Sequence, residues 1–163
     1  MVPAVRIQRE DFDPASEIDA LTAGRSDVGA VTSFVGLCRD EHGRLRALEL
    51  EHYPGMAEAE AGRVAAEAAA RWPLLGLTII HRFGLIRPGE RIVLVAAAAS
   101  HREAAFSATD FLMDFLKTHA PFWKREHLAS GELGPWVDAK ASDDAAASRW
   151  ASAPQAEPGL RQR

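Results

Sequence analysis

Leu77-Thr-Ile-Ile-His-Arg-Phe83, Arg87-Pro-Gly-Glu90 and Arg91-Ile-Val-Leu-Val-Ala-Ala-Ala-Ala99 are the stretches that decide the fold of this chain. The first and third are apolar runs of strand length, and the second sets Pro88 and Gly89 at the central positions of a type II turn. Together they spell an antiparallel hairpin. Ser100-His-Arg-Glu103 follows at once and fits the S-x-x-E capping box. Ala104, Ala105, Ala108, Phe111, Leu112, Phe115 and Leu116 then recur at three- and four-residue steps, the spacing of a helix with one apolar face. Pro121 ends that helix, because the residue before a proline is pushed out of the α region. Lys117 therefore falls in or near its last turn, and Lys124 in an irregular segment beyond.

Working outward, Gly29 to Gly36 reads as a buried strand and Cys38-Arg-Asp-Glu-His-Gly43 as a polar loop. Ala47 to Tyr53 alternates apolar and polar residues, as a half-buried strand does. Pro54-Gly55 turns the chain into an alanine-rich helix from about Met56 to Arg71, closed by Pro73. A short helix is expected from Pro14 to Thr22, a late strand over Trp136-Val-Asp-Ala-Lys140, and a last helix from Asp143 to Trp150. The order strand, strand, helix, strand, strand, helix, strand predicts an α+β fold, with helices packed on one face of a mainly antiparallel sheet. Residues 1–150 are expected to form a single domain. From residue 151 the composition shifts to Ala, Ser, Pro, Gln, Glu and Gly, which predicts a disordered C-terminal tail over 151–163.

With 163 residues, 47% of them hydrophobic, the chain is long enough to bury one sizeable core. A net charge of −4 argues against a protein that works by neutralising nucleic-acid phosphates, and leaves small anions as better ligands. No run approaches the roughly 18 apolar residues of a membrane helix, and no apolar leader opens the chain, so a cytoplasmic location is expected. The single Cys38 excludes an internal disulfide and fits a reducing compartment. His42, His52, His81, His101, His119 and His127 show no metal-ligand spacing, so no metal is expected. Walker A, G-x-G-x-x-G and G-x-S-x-G motifs are all missing, which removes the usual sequence support for nucleotide hydrolysis, dinucleotide redox chemistry and serine hydrolysis.

The densest chemistry lies in Lys117-Thr-His-Ala-Pro-Phe-Trp-Lys124-Arg-Glu126. A lysine near a helix C-terminus is ordinarily a solvated residue favoured by the macrodipole. Here Phe122 and Trp123 place apolar and stacking surface between two cations, so both ammonium groups can face one cavity. His101 and Arg102 occupy the first turn of the capped helix, where free backbone N–H groups and a guanidinium would seat a phosphate. Arg39 follows a buried strand, a common place for a functional loop residue. Cys38 beside Arg39 has no identifiable partner base and is a poor candidate nucleophile.

Glu51-His-Tyr-Pro-Gly-Met56, Ile80-His-Arg82, Ser100-His-Arg102, Phe111-Leu-Met-Asp-Phe-Leu-Lys117 and Ala120-Pro-Phe-Trp-Lys-Arg-Glu126 closely resemble the large, catalytic subunit family of molybdopterin synthases, over about Val28 to Trp150. The resemblance implies an α/β hammerhead-type fold and a homodimer within a heterotetramer. Each large subunit would receive the tail of a small ubiquitin-like sulfur carrier ending in a Gly-Gly thiocarboxylate. Sulfur would pass to cyclic pyranopterin monophosphate and build the molybdopterin dithiolene, with no cofactor of the protein's own. By position, Lys117 and Lys124 match the family's essential lysines. Leu37, Cys38, Arg39, His101, Arg102, Arg125, Glu126 and Lys140 fall where the pterin and phosphate would bind. Leu37 stands where many members have lysine, and Lys140 where a relative has arginine, which exchanges a bidentate fork for a point charge.

Every reacting species in such a transfer is anionic, so an ammonium group among them favours electrostatic stabilisation and proton donation over general-base work. Two other readings predict different behaviour. A non-catalytic scaffold that binds a ubiquitin-like tail would use the lysines only as docking charges. An acyl- or phosphoryl-transferase would act without any thiocarboxylated partner.

Overall fold

In the computed structural model, residues 1–118, 121–137 and 148–152 are described. In chain order they form β1 (Ala4–Gln8), α1 (Pro14–Thr22), β2 (Ala30–Leu37), β3 (Leu45–His52), α2 (Met56–Arg71), β4 (Leu74–Arg82), β5 (Gly84–Ile86), β6 (Arg91–Ala99), α3 (Arg102–Thr118), β7 (Phe122–Leu128) and a short 3-10 helix, Arg149–Ser152. The strands make two sheets, β1-β4-β6-β2 and β5-β3-β7. All pairings are antiparallel except β1 on β4. This is the mixed, antiparallel-rich architecture that the sequence predicts.

The hairpin holds as expected, with β4 and β6 paired antiparallel and Gly89 at φ 85 in the turn, where Glu90 N donates to Arg87 O at 3.0 Å. Both strands are central in their sheet, which is why their sequences are continuously apolar rather than alternating. Alternate residues instead feed two cores. Leu77, Ile79, Val93, Val95, Ala97 and Ala99 meet Val64, Ala65 and Ala68 of α2 and Ala105, Ala108, Phe111 and Leu112 of α3. Ile80, Leu94 and Ala96 face the other way, against Phe12, just before α1, and Leu21 of α1. The two long helices thus share one face, and the short α1 lies against the other. Trp72, Phe111 and Trp150 make edge-on ring contacts at 5.3 to 5.8 Å between centroids, which seal the end of the larger core.

Three strands are not legible in the sequence. β5 splits off the hairpin loop to join the second sheet, and β1 adds a parallel edge beside β4. β7 corrects the irregular segment expected after Pro121: it pairs with β3 from His52↔Phe122 to Leu45↔Leu128. Of the expected late strand, Val137 makes an isolated bridge with Lys124, and residues 138–140 lie outside the described residues. Residues 143–147 of the expected last helix also lie outside them, as do residues 153–163 of the expected tail; the 3-10 helix reaches Ser152. Arg149 Nε and Trp150 Nε1 both donate to Asp114 Oδ2 at 2.8 Å, which ties this segment to α3.

The two sheets join through an aromatic column. Phe122 at the start of β7 stacks on His81 of β4 at 3.8 Å, and His52 of β3 lies 4.4 Å from Phe83 and 5.9 Å from Phe122. Burial holds the His81 imidazole down at about 4, so the ring is neutral near pH 7 and stacks as an uncharged aromatic.

Candidate functional site

β2 ends in a register shift between Gly36 and Leu37, and such irregularities re-aim the side chains that follow. Glycine is required there: a Cβ on Gly36 would come within 2.6 Å of Val93 Cγ1. Beyond the shift Leu37 is exposed, Cys38 is buried, and Cys38 is fixed by two backbone bonds to the hairpin turn, to Glu90 O at 2.8 Å and from Gly89 N at 2.7 Å. The loop then reverses through His42 at φ 64 and Gly43 at φ 73, consecutive left-handed positions that favour glycine. Asp40 supports the reversal by accepting from Leu45 N at 2.8 Å.

That loop forms one wall of a cleft of about 560 Å³. The opposite wall is Lys124, Arg125 and Glu126 of β7, with Gly134, Pro135 and Val137 beside them. Leu45, Leu48 and Ile92 supply an apolar floor. Arg39, Arg44 and Lys124 set cations against the carboxylates of Asp40, Glu41 and Glu126, and Arg125 borders the cleft with its guanidinium bonded to Glu49. One carboxylate is engaged in the backbone, and Glu41 is paired with Arg39. A cleft of this composition suits an anion with an apolar body.

Strand alternation sorts the β7 residues. Lys124 is opposite Leu50 and shares its face, while Arg125 is opposite Glu49 and takes the other. Arg125 Nε donates to Glu49 Oε2 at 2.6 Å, His127 Nε2 is 2.7 Å from the same oxygen, and the Arg125 guanidinium carbon stands 4.5 Å from the Trp136 ring centre. These bonds from Arg125 first, and His127 second, hold the Glu49 carboxyl below its ordinary range. Burial pushes the Cys38 thiol up, which makes it a packing residue rather than a nucleophile.

The two lysines border different clefts within the chain. Lys117, exposed in the last turn of α3, lines a second cavity of about 580 Å³ with Thr32, Ser33 and Phe34 of β2 and Asp110, Met113 and Trp150. The reason is topological: α3 packs on the four-stranded sheet, whereas β7 belongs to the three-stranded one. His101 and Arg102 are exposed at the start of α3 and line neither cleft. Lys140 lies outside the described residues. The structure therefore brings Leu37, Cys38, Arg39, Lys124, Arg125 and Glu126 together and leaves Lys117, His101 and Arg102 elsewhere on the surface. Arg44 and Glu49 were missed in the sequence. The only signal for Glu49 is its place in the alternating Ala47-Leu-Glu-Leu-Glu51 run.

A family model described as MoaE protein matches residues 7–119, a span that holds Arg39 and Lys117 and ends before β7. The molybdopterin synthase catalytic subunit of Mesorhizobium japonicum is 69% identical over 152 residues, 93% of this chain and 96% of that protein. The protein of the same name from Brucella melitensis is 60% identical over 147 residues, 90% of each. Among solved structures, the molybdopterin biosynthesis MoaE protein from Burkholderia ambifaria is similar with a TM-score of 0.79 and 48% identity, over 93% of this chain and 99% of that one.

Proposed function

The chain belongs to the MoaE family of molybdopterin synthase catalytic subunits, and from that premise we propose that it transfers sulfur from a small thiocarboxylated carrier to cyclic pyranopterin monophosphate, forming the dithiolene of molybdopterin. The observation that supports this most is the cleft between the β2 end and β7, where Arg39 and Lys124, far apart in sequence, border one anion-suited space. The pterin's ring system fits the apolar floor of Leu45, Leu48 and Ile92, and its phosphate fits the cationic rim. Lys124 stabilises the negative charge that develops as the thiocarboxylate sulfur bonds to a pterin side-chain carbon with loss of an oxygen substituent, and as water then hydrolyses the resulting thioester, releasing the carrier as its carboxylate and leaving sulfur on the pterin. Arg39, held by Glu41 in the free chain, exchanges that carboxylate for the phosphate.

The name catalytic subunit in the relatives supports a second, smaller subunit, whose extended tail would deliver the thiocarboxylate. A homodimer is part of the proposal. β2 is an edge strand, and Phe34 and Phe106 beside it are exposed, a combination that a second copy would cover. Lys117 borders the cavity on that side and would act from there, while His101 and Arg102 stand at the other end of α3.

Purified chain, thiocarboxylated carrier and cyclic pyranopterin monophosphate should yield dithiolene product, and omission of the thiocarboxylate should abolish it. Conversion of a substrate to a sulfur-free acyl- or phosphoryl-transfer product without the thiocarboxylated carrier would favour an acyl- or phosphoryl-transferase instead. Loss of turnover with carrier binding retained in Lys124→Ala would exclude the scaffold reading, whereas normal turnover in that variant would overturn the catalytic role of Lys124.

A further inference from the structure

Glu49 lies in β3 and is not among the residues that border the cleft, yet its Oε2 holds both Arg125 and His127. Those two residues share one face of β7, and Lys124 and Glu126 take the other. β7 is the edge of its sheet, and its outer side meets the segment from Glu132 to Val137 through bridges at Lys124↔Val137 and His127↔Leu133 and through bonds from Gly134 N to Glu126 O at 2.8 Å and from Leu128 N to Glu132 O at 2.9 Å. Backbone bonds on both sides set its register, and the ionic grip adds a side-chain constraint on one face. The ionic grip is sheltered, with side-chain exposures of 17% for Glu49, 27% for Arg125 and 20% for His127, so solvent and salt screen it less than a surface pair.

We propose that Glu49 is a positioning residue for Lys124: by gripping Arg125 and His127 from the opposite face, it holds β7 in the orientation that presents the Lys124 ammonium to the cleft. Anchoring the positions one and three residues beyond Lys124 on one face leaves Lys124 little freedom on the other. The Trp136 ring, stacked on Arg125, closes the grip from outside. This inference rests on the catalytic reading of Lys124. Electrostatics alone would act in the reverse sense, because removal of a carboxylate makes the neighbourhood more positive and favours anion binding.

The test compares wild type, Glu49→Gln, Lys124→Ala and the double variant, each as the full chain with thiocarboxylated carrier and cyclic pyranopterin monophosphate. Glu49→Gln keeps size and removes charge. It should lower kcat about ten-fold, since small misplacement of a catalytic group is expensive, while KM stays within about two-fold. In the Lys124→Ala background it should lower residual turnover no further. Backbone amide exchange should rise along β7 in Glu49→Gln and stay unchanged in β6. Equal losses in both backgrounds would mean a general structural role and overturn the proposal. So would a fall in KM at unchanged kcat, or wild-type exchange along β7. If Lys124→Ala is inactive and Glu49→Gln is normal, only this inference fails. If Lys124→Ala is fully active, the reading of the site fails with it.

Discussion

The two sheets are built from different physics. The β1-β4-β6-β2 sheet carries an apolar core on each face, with Ala96 to Ala99 fully buried and Phe111 in the larger core. The β5-β3-β7 sheet has a small apolar cluster of Cys38, Leu50 and Ile86 on one face and the Glu49, Arg125 and His127 grip on the other. Small side chains let α2 and α3 sit close against the first sheet, and burial of that area is the main source of stability. Polar and aromatic contacts hold the second sheet with less burial. A rigid scaffold thus carries a lighter, more polar edge on which a cleft can open.

If that contrast is right, damage to the first sheet should cost folding and damage to the second should cost chemistry. Phe111→Ala should produce the largest change, a loss of about 3–5 kcal/mol of stability from a cavity between Trp72, Trp150 and Phe115, read as a fall in Tm with every activity lost together. Lys124→Ala should slow turnover about 10²-fold, the scale on which one preorganised electrostatic donor acts, with Tm and carrier binding nearly unchanged. A large fall in Tm for Lys124→Ala would erase the distinction between the two regions.

Acid should act at the joint between the sheets. The folded His81 takes a proton only near 4, against 6.5 for an ordinary histidine, so the unfolded chain binds more protons between those values. Stability is therefore full above about pH 6.5 and falls as pH drops toward 4, by about 1.4 kcal/mol per pH unit at most. His81→Phe should keep the stack on Phe122 and flatten the urea-midpoint profile over that window. An unchanged slope in that variant would assign the acid sensitivity to other groups.

The smallest effect concerns the C-terminus. Removal of residues 153–163 leaves Arg149 and Trp150 on Asp114, and should change turnover and stability by less than about 0.5 kcal/mol. Truncation before Arg149 should destabilise measurably, because Trp150 packs on Trp72 and Phe111.

Local rules in the sequence were enough to set α2 at Met56–Arg71, the turn at Arg87 to Glu90 and the amphipathic stripe of α3, because proline, glycine, capping residues and apolar period act over a few neighbours. The uncommon words around Lys117 and Lys124 were enough to mark the family. β7 was unreadable, since Phe122-Trp-Lys-Arg-Glu126 has no apolar alternation and becomes a strand only by pairing with β3, whose partner residues lie 70 or more positions away. The same pairing decided which neighbours each cation has. It gave Arg125 to Glu49, set Lys124 opposite Arg39 across a cleft, and left Lys117 on another sheet's helix. Sequence supplied the charged groups, and long-range register decided which of them meet, because a strand's side chains face whatever its partner strand presents.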